Sequence, residues 1–399
     1  MLPRSSISRK GEEDRVFFYA DAVFMGGLAL MILTLPLSEA LKNIGYFVAL
    51  GGWLLKRAAR RDFRMTFTPI GVFLSTYFLI SLLSAAFAFD RWEGFRGAWD
   101  VFRFLSVFLM MINDVDSKPK IIFCVSFFVA STGISVAWGL INYFSGAQLR
   151  IGGKSLGSPP DMATYLVIMF VLLISLLLVV EWSMRTKMAV VAIASATYLA
   201  IFLTYSRGGW IACLAILVFL SVSLKRWEPI LIPAVLTMAI LLGLNMSGRL
   251  WTWHFETLPY LTETDSFKDR IDIWKGSIQS FQERPLLGVG PRNFKNLDYE
   301  RYGFKRTKHA HSVYLNVLAE RGLVGLLSLM AFFVSYVYEC MRRRHSKDAL
   351  NQALWYAAVG ALITIVVAGM VSTTLHSEVA IAFSSVTALM LASSEAAQP

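Results

Sequence analysis

Apolar runs close to the thickness of a bilayer recur along this chain, and they constrain its fold more than any other feature. A membrane-spanning helix needs about 20 mostly apolar residues. Runs approaching that length lie at Val16–Leu35, Asn43–Leu55, Thr68–Phe89, Ala98–Ile112, Ile121–Phe144 and Met162–Val180. Six more lie at Met188–Ser206, Gly209–Leu224, Pro229–Met246, Leu323–Tyr338, Ala353–Val371 and Glu378–Ala392. The second and fourth are short or carry charge. Of the 399 residues, 56% are hydrophobic and only 16% charged, which leaves too little polar surface for a soluble domain of this size. The expectation is an all-α integral membrane protein of about twelve transmembrane helices.

Charge sets the expected orientation. Arg4, Arg9, Lys10 and Arg15, then KRAARRDFR (Lys56–Arg64), Lys118/Lys120, Arg185/Lys187, Lys225/Arg226 and RRRHSK (Arg342–Lys347) fall in one set of short loops. The alternate loops are sparser in positive charge, so both termini are expected in the cytoplasm. No small-residue cleavage site follows the first run, which reads as a retained span. The net charge of +11 comes mostly from these clusters. No basic run is interleaved with aromatics, so nucleic acid is not an expected partner. Cys124, Cys213 and Cys340 lie in or beside apolar segments without metal or disulfide spacing, and read as packing residues.

The chain divides into residues 1–246 with nine spans, a long polar loop at 247–321, and residues 322–399 with three spans and a short tail. The loop contains Trp251, Trp253, Phe255, Tyr260, Phe267, Trp274 and Phe281, too many aromatics for a solvated linker. In it, Arg270, Trp274, Ser277/Ile278 and Phe281 recur at helical spacing, and Pro285, Gly288 and Gly290 end the helix in a tight turn. Arg270 either stacks on a ring or waits for an anion. A second costly cation is Arg207 in TYSRGGW (Thr204–Trp210), fixed at the membrane surface by the Gly208-Gly209 turn; it is either an interfacial anchor or a functional group.

The third feature is KHAHSVYLNVLAERGLVGLL, Lys308–Leu327, which places two of the chain's 5 histidines at the mouth of an apolar run. His311, Leu315 and Leu318 fall at i, i+4 and i+7, predicting a short helix His311–Glu320 with the imidazole among leucines. His309 falls off that face and reads as exposed. A histidine in such a place is either a packing residue or a base. Its HxH spacing has no suitable partners for zinc. The predicted topology puts Arg207, Arg270 and His311 on one side of the membrane. Two guanidinium forks suit a diphosphate, and an imidazole can take a proton from an attacking hydroxyl. With no Asp-x-Asp in the outer loops and no ligand-spaced cluster, the arginines are expected to act in place of a metal; no cofactor is expected.

HSVYLNVLAERGLVG (His311–Gly325) resembles the H[NS]xxLxxLxxxGxxG signature of the O-antigen ligase and polymerase superfamily. Arg270 and Trp274, followed by PLLGVG, resemble the start of that family's large periplasmic loop, and SRGGW its SRG turn. LGSPPDMA (Leu156–Ala163) is similar to its GxxNDxA element, with Pro160 standing where Asn is usual. The resemblance, over Gly152–Gly325, implies a metal-independent, inverting glycosyltransferase of the GT-C type in the bacterial inner membrane. It implies transfer of a glycan from undecaprenyl diphosphate to a hydroxyl at the periplasmic face. By the same resemblance His311 is the general base, Arg207 and Arg270 engage the diphosphate, and His309, Asp161 and Trp274 are supporting candidates. Lipid A–core is the favoured acceptor, because the sole long loop precedes His311 and no further outer domain follows the last run. A lipid-linked repeat or a protein hydroxyl are the alternatives. A polyprenol transporter would show paired repeats or broken helices in two halves of the chain, and the sequence shows none.

Overall fold

A computed structural model describes residues 4–153, 155–246, 265–344, 346 and 348–395. These residues form helices and no strand. The first nine are α1 (Arg4–Thr34), α2 (Glu39–Arg60), α3 (Pro69–Ala86), α4 (Arg91–Asp114), α5 (Lys118–Phe144), α6 (Pro159–Val179), α7 (Met184–Leu203), α8 (Arg207–Leu224) and α9 (Glu228–Met246). After residues 247–264, which lie outside the described residues and include Trp251, Trp253, Phe255 and Tyr260, come α10 (Asp265–Glu283) and the short α11 (Tyr299–Tyr302). The chain then forms α12 (Val313–Arg342), α13 (Ala349–Ala368) and α14 (Ser377–Glu395).

Each expected apolar run falls largely within a helix. Nine of the described helices are long and apolar enough to cross a membrane. The other three runs belong to α2, α4 and α9. Lys42, Lys56, Arg57 and Arg60 punctuate α2, and Arg91, Glu93, Arg96, Asp100 and Arg103 punctuate α4. Local chemistry explains where many helices begin. Thr68, Asp90, Ser158, Ser206 and Asp348 each accept a first-turn N–H at the N-cap, and Pro69 and Pro159 occupy first-turn positions where no donor is lost.

The bundle is built around α6 and α14, with 78% and 89% of their apolar windows buried. Helix α6 lies against α7, α8 and α13, while α14 lies against α4 and α13. At the edge, α1 and α2 approach backbone to backbone. A Cβ on Gly27 would come 2.3 Å from the Ala49 nitrogen, and one on Gly45 2.4 Å from that of Met31. Such small-residue contacts replace the hydrophobic drive that lipid cannot supply.

The two ends of the bundle differ. At one, Lys56 joins Asp21 (2.6 Å) and Asp114 (2.8 Å), Arg57 meets Asp114 at 2.5 Å, and Lys118 reaches Asp348 at 2.8 Å. At the other lie the starts of α6, α8, α12 and α14, with α10 beside them. Helix α12 breaks at Gly322 (φ 66°, ψ −165°). The PLLGVG turn fills the break. Val289 and Gly290 donate to the Ala319 and Glu320 carbonyls (3.0 and 2.8 Å), and Leu323 and Val324 donate to the Pro285 and Leu286 carbonyls (2.7 and 3.3 Å). In an unbroken helix those four groups would bond to each other. The turn therefore satisfies the backbone that the kink releases.

Candidate active site

The predicted short helix forms, but without His311. His311 has φ 51°, a left-handed conformation incompatible with a helix, and the helix begins two residues later at Val313. It reaches the break at Gly322, within two residues of the expected end at Glu320, and the span beyond the break runs to Arg342. The periodicity of Leu315 and Leu318 belongs to α12 alone. His311 is instead part of a turn pinned on several sides. The Ala310 N–H donates to Asn316 Oδ1 (3.0 Å), the Ala310 carbonyl accepts from Trp274 Nε1 (3.1 Å), and the Val313 N–H donates to the Gly369 carbonyl (2.8 Å). Trp274 thus reaches the histidine turn through the backbone, joining α10 to the start of α12.

The imidazoles of His309 and His311 meet edge to face with centroids 4.4 Å apart. His309 is half-buried rather than exposed, and its Nδ1 finds no hydrogen-bond partner among the described residues. Burial, with the neighbouring His311 and His376, pulls its pKa down to about 4. Thr307 Oγ1 lies 3.4 Å from His311 Nε2. Burial and the positive charge of Arg270 lower the His311 pKa, so the ring is neutral and ready to accept a proton at pH 7.

Arg270 comes from α10. The buried face of that helix runs through Ile273, Ser277 and Ser280, whereas Ile278, expected on it, is 43% exposed. Arg270 Nη1 points at the Val371 carbonyl at 3.5 Å. Gly208 packs against the same residue, for a Cβ there would lie 2.8 Å from Val371 Cγ2. That contact brings the start of α8 and Arg207 toward Arg270. Burial, then the charge of Arg207, pull the Arg270 pKa down. Two guanidinium groups, one opening α8 with its N-terminal N–H groups, make this a place where negative charge is stabilised.

Asp161 enters from the first turn of α6. It accepts from Ser158 Oγ at 2.5 Å while its own N–H donates to that oxygen at 3.3 Å, a reciprocal cap. Its other oxygen lies 3.5 Å from His376 Nε2. Burial opposes the imidazolium form of His376, but the hydrogen bond and charge of Asp161, with Glu378 and Asp100, outweigh it and raise the pKa. The sequence reading missed His376. Its signal was of the same kind as that of His311, a histidine at the mouth of an apolar run. Below it, Glu378 is buried against Lys42 of α2 and accepts from Ser155 Oγ at 3.0 Å.

Arg207, Arg270, His309 and His311 all fall within residues 189–330, which match the family described as O-antigen ligase. This stretch of the chain is similar to the O-antigen ligase family. Among curated relatives the chain is similar to an O-antigen ligase of Salmonella typhimurium, 29% identical over 171 residues, covering 40% of this chain and 41% of that protein. It is also similar to the exopolysaccharide production protein ExoQ of Rhizobium meliloti, 27% identical over 105 residues and 24% of each chain. The matched regions thus cover less than half of either relative. Asp161 and His376, the other two site groups, lie outside the matched segment.

Proposed function

We propose that this chain transfers a glycan from undecaprenyl diphosphate to a hydroxyl of lipid A–core at the periplasmic face of the inner membrane. The observation that carries the reading is the half-buried imidazole of His311 held in a pinned turn beside Arg270, which in turn lies near Arg207. The acceptor oxygen attacks the anomeric carbon and its proton passes to His311. The bond from that carbon to the diphosphate oxygen breaks, and the electron pair leaves with the diphosphate. Arg207 and Arg270 offer forked donors to the charge that develops there, the role a divalent cation would otherwise take. Attack opposite the leaving group inverts the anomeric centre. Residues 247–321 act as the outer loop that brings Arg270 and the histidine turn to spans on both sides of it.

A second reading has another lipid-linked repeat as the acceptor; similarity to a protein named for exopolysaccharide production is compatible with it. Purified protein given lipid-linked donor and either lipid A–core or a second lipid-linked repeat separates the two. Transfer to lipid A–core that survives excess EDTA supports the first reading in full. Transfer only to the lipid-linked repeat moves the chain to the second, and activity lost in EDTA and restored by magnesium rejects metal independence.

A further inference from the structure

His309 also lines a cavity of about 380 Å³, walled by α4, by the turn after Gly290 and by His376, and including neither Arg207 nor Arg270. That volume lies within the range of about 300–1,000 Å³ usual for small-ligand sites. Its mouth is built with care. Gly97 of α4 lets the turn close in, since a Cβ there would come 2.6 Å from Pro291 Cβ. Asn293 locks the turn to α4, accepting from the Asp90 N–H (2.8 Å) and donating to the Asp90 carbonyl (3.0 Å). Arg292 is thereby held with φ 58°, a left-handed backbone that a residue with a Cβ rarely adopts.

The two cations presented there are held differently. Arg292 lies 3.6 Å from both Glu93 and Asp100, beyond hydrogen-bond reach, and its side chain is 49% exposed. Lys295 meets Glu93 at 3.0 Å and is 37% exposed. Asp100 and Asn316 add acceptor oxygens to the lining, and Lys308 a further cation. Arg292 can turn toward an incoming anion and Lys295 can share its three donors between Glu93 and that anion, which beside acceptors for hydroxyl groups suits a charged sugar. Edge to face with the His309 ring stands His311.

We propose that this cavity is the acceptor subsite and takes a saccharide carrying an anionic substituent, phosphate or carboxylate. Arg292 and Lys295 bind the anion, Asp100 accepts from sugar hydroxyls, and the reacting hydroxyl is presented past His309 to His311. The assignment rests on the reading of His311 as base and of the Arg207–Arg270 pair as the donor site.

The test is direct binding of rough lipopolysaccharide to the full chain in nanodiscs, using native material and material stripped of phosphate and with its carboxyls reduced. Arg292→Gln/Lys295→Gln should weaken binding of the native acceptor roughly tenfold or more, the scale of one good charge contact. Binding of undecaprenyl diphosphate should be unchanged. The stripped acceptor should bind the wild type as weakly as the native acceptor binds the variant. Arg292→Lys/Lys295→Arg keeps the charges and should recover most of the affinity, which separates charge from misfolding. Equal affinities of wild type and Gln variant, equal affinities for native and stripped acceptor, or no acceptor binding by the wild type overturn the proposal. Charge-dependent binding without sugar transfer would instead overturn the chemistry assigned to His311 and leave the subsite standing.

Discussion

His311 stands outside α12, so a substitution there reports on chemistry with little effect on the helix, provided the left-handed backbone is respected. Asparagine tolerates that conformation better than glutamine or alanine. His311→Asn should therefore fold normally, bind the donor as the wild type does, and transfer roughly 100-fold or more slowly, the usual scale for removing a positioned base. Near-normal turnover by a folded His311→Asn protein would show that the imidazole is a packing group. The pH profile gives an independent check. A base works when neutral, and burial together with Arg270 lowers the His311 pKa below its ordinary 6.5. Activity should thus persist as pH falls through 6.5 and be lost only below it. Arg270→Gln removes one of the two lowering influences, so its acid limb should move to higher pH, on top of weaker donor binding. An acid limb that stays in place in Arg270→Gln would break the link between the two residues.

At the scale of elements, the interlock between the PLLGVG turn and the kink of α12 fixes where the histidine turn and α10 meet. A Cβ on Gly322 would lie 2.3 Å from the Leu286 carbonyl oxygen, at φ 66°. Gly303 has a similar φ of 69° with nothing within 4 Å. Gly303→Ala should therefore cost only the backbone strain, on the order of 1 kcal/mol. Gly322→Ala must also push the turn off the helix and should lower the melting temperature in detergent well beyond that control. Equal losses would mean that the turn is not seated as described. The sequence showed both halves of this device, PLLGVG as a turn and two glycines after Glu320, but as separate local features. Their reciprocal hydrogen bonds join residues thirty or more positions apart, and residue periodicity carries no information over such a distance. The same restriction explains the error at His311. The spacing to Leu315 and Leu318 extends an apolar face backward past the true start of the helix, and nothing in a period distinguishes a left-handed residue from a helical one.

For the molecule as a whole, hydropathy was sufficient to place every helix that carries an apolar run, because each must bury or shield its backbone over the same length. Charge distribution assigns the two ends of the bundle to opposite sides of the membrane, an orientation that thiol labelling tests. The partnership of His376 with Asp161, and of Glu378 with Lys42, was not legible, since it depends on which helix starts lie side by side. Glu378 and Lys42 are both almost fully buried. Removing one partner of such a pair costs about 3–5 kcal/mol by stranding the other charge. Glu378→Gln should accordingly reduce the yield of folded protein, and Lys42→Met in the same chain should restore part of it; a double variant no better than the single one would show that the two charges are not coupled. The orientation of the whole bundle decides whether any of this chemistry can meet a periplasmic glycan. Gln282, exposed on α10, lies at the end that carries Arg270 and His311, and Ser346 lies in the RRRHSK loop at the other. Cys124, Cys213 and Cys340 are buried, so replacing them should leave a folded background without reactive thiols. In that background Gln282→Cys should react with an impermeant thiol reagent added to intact spheroplasts, and Ser346→Cys should react only after lysis. The reverse pattern would place the two arginines and His311 in the cytoplasm. A site there would have to draw on lipid-linked sugars before they cross the membrane, and transfer to a periplasmic acceptor would be untenable.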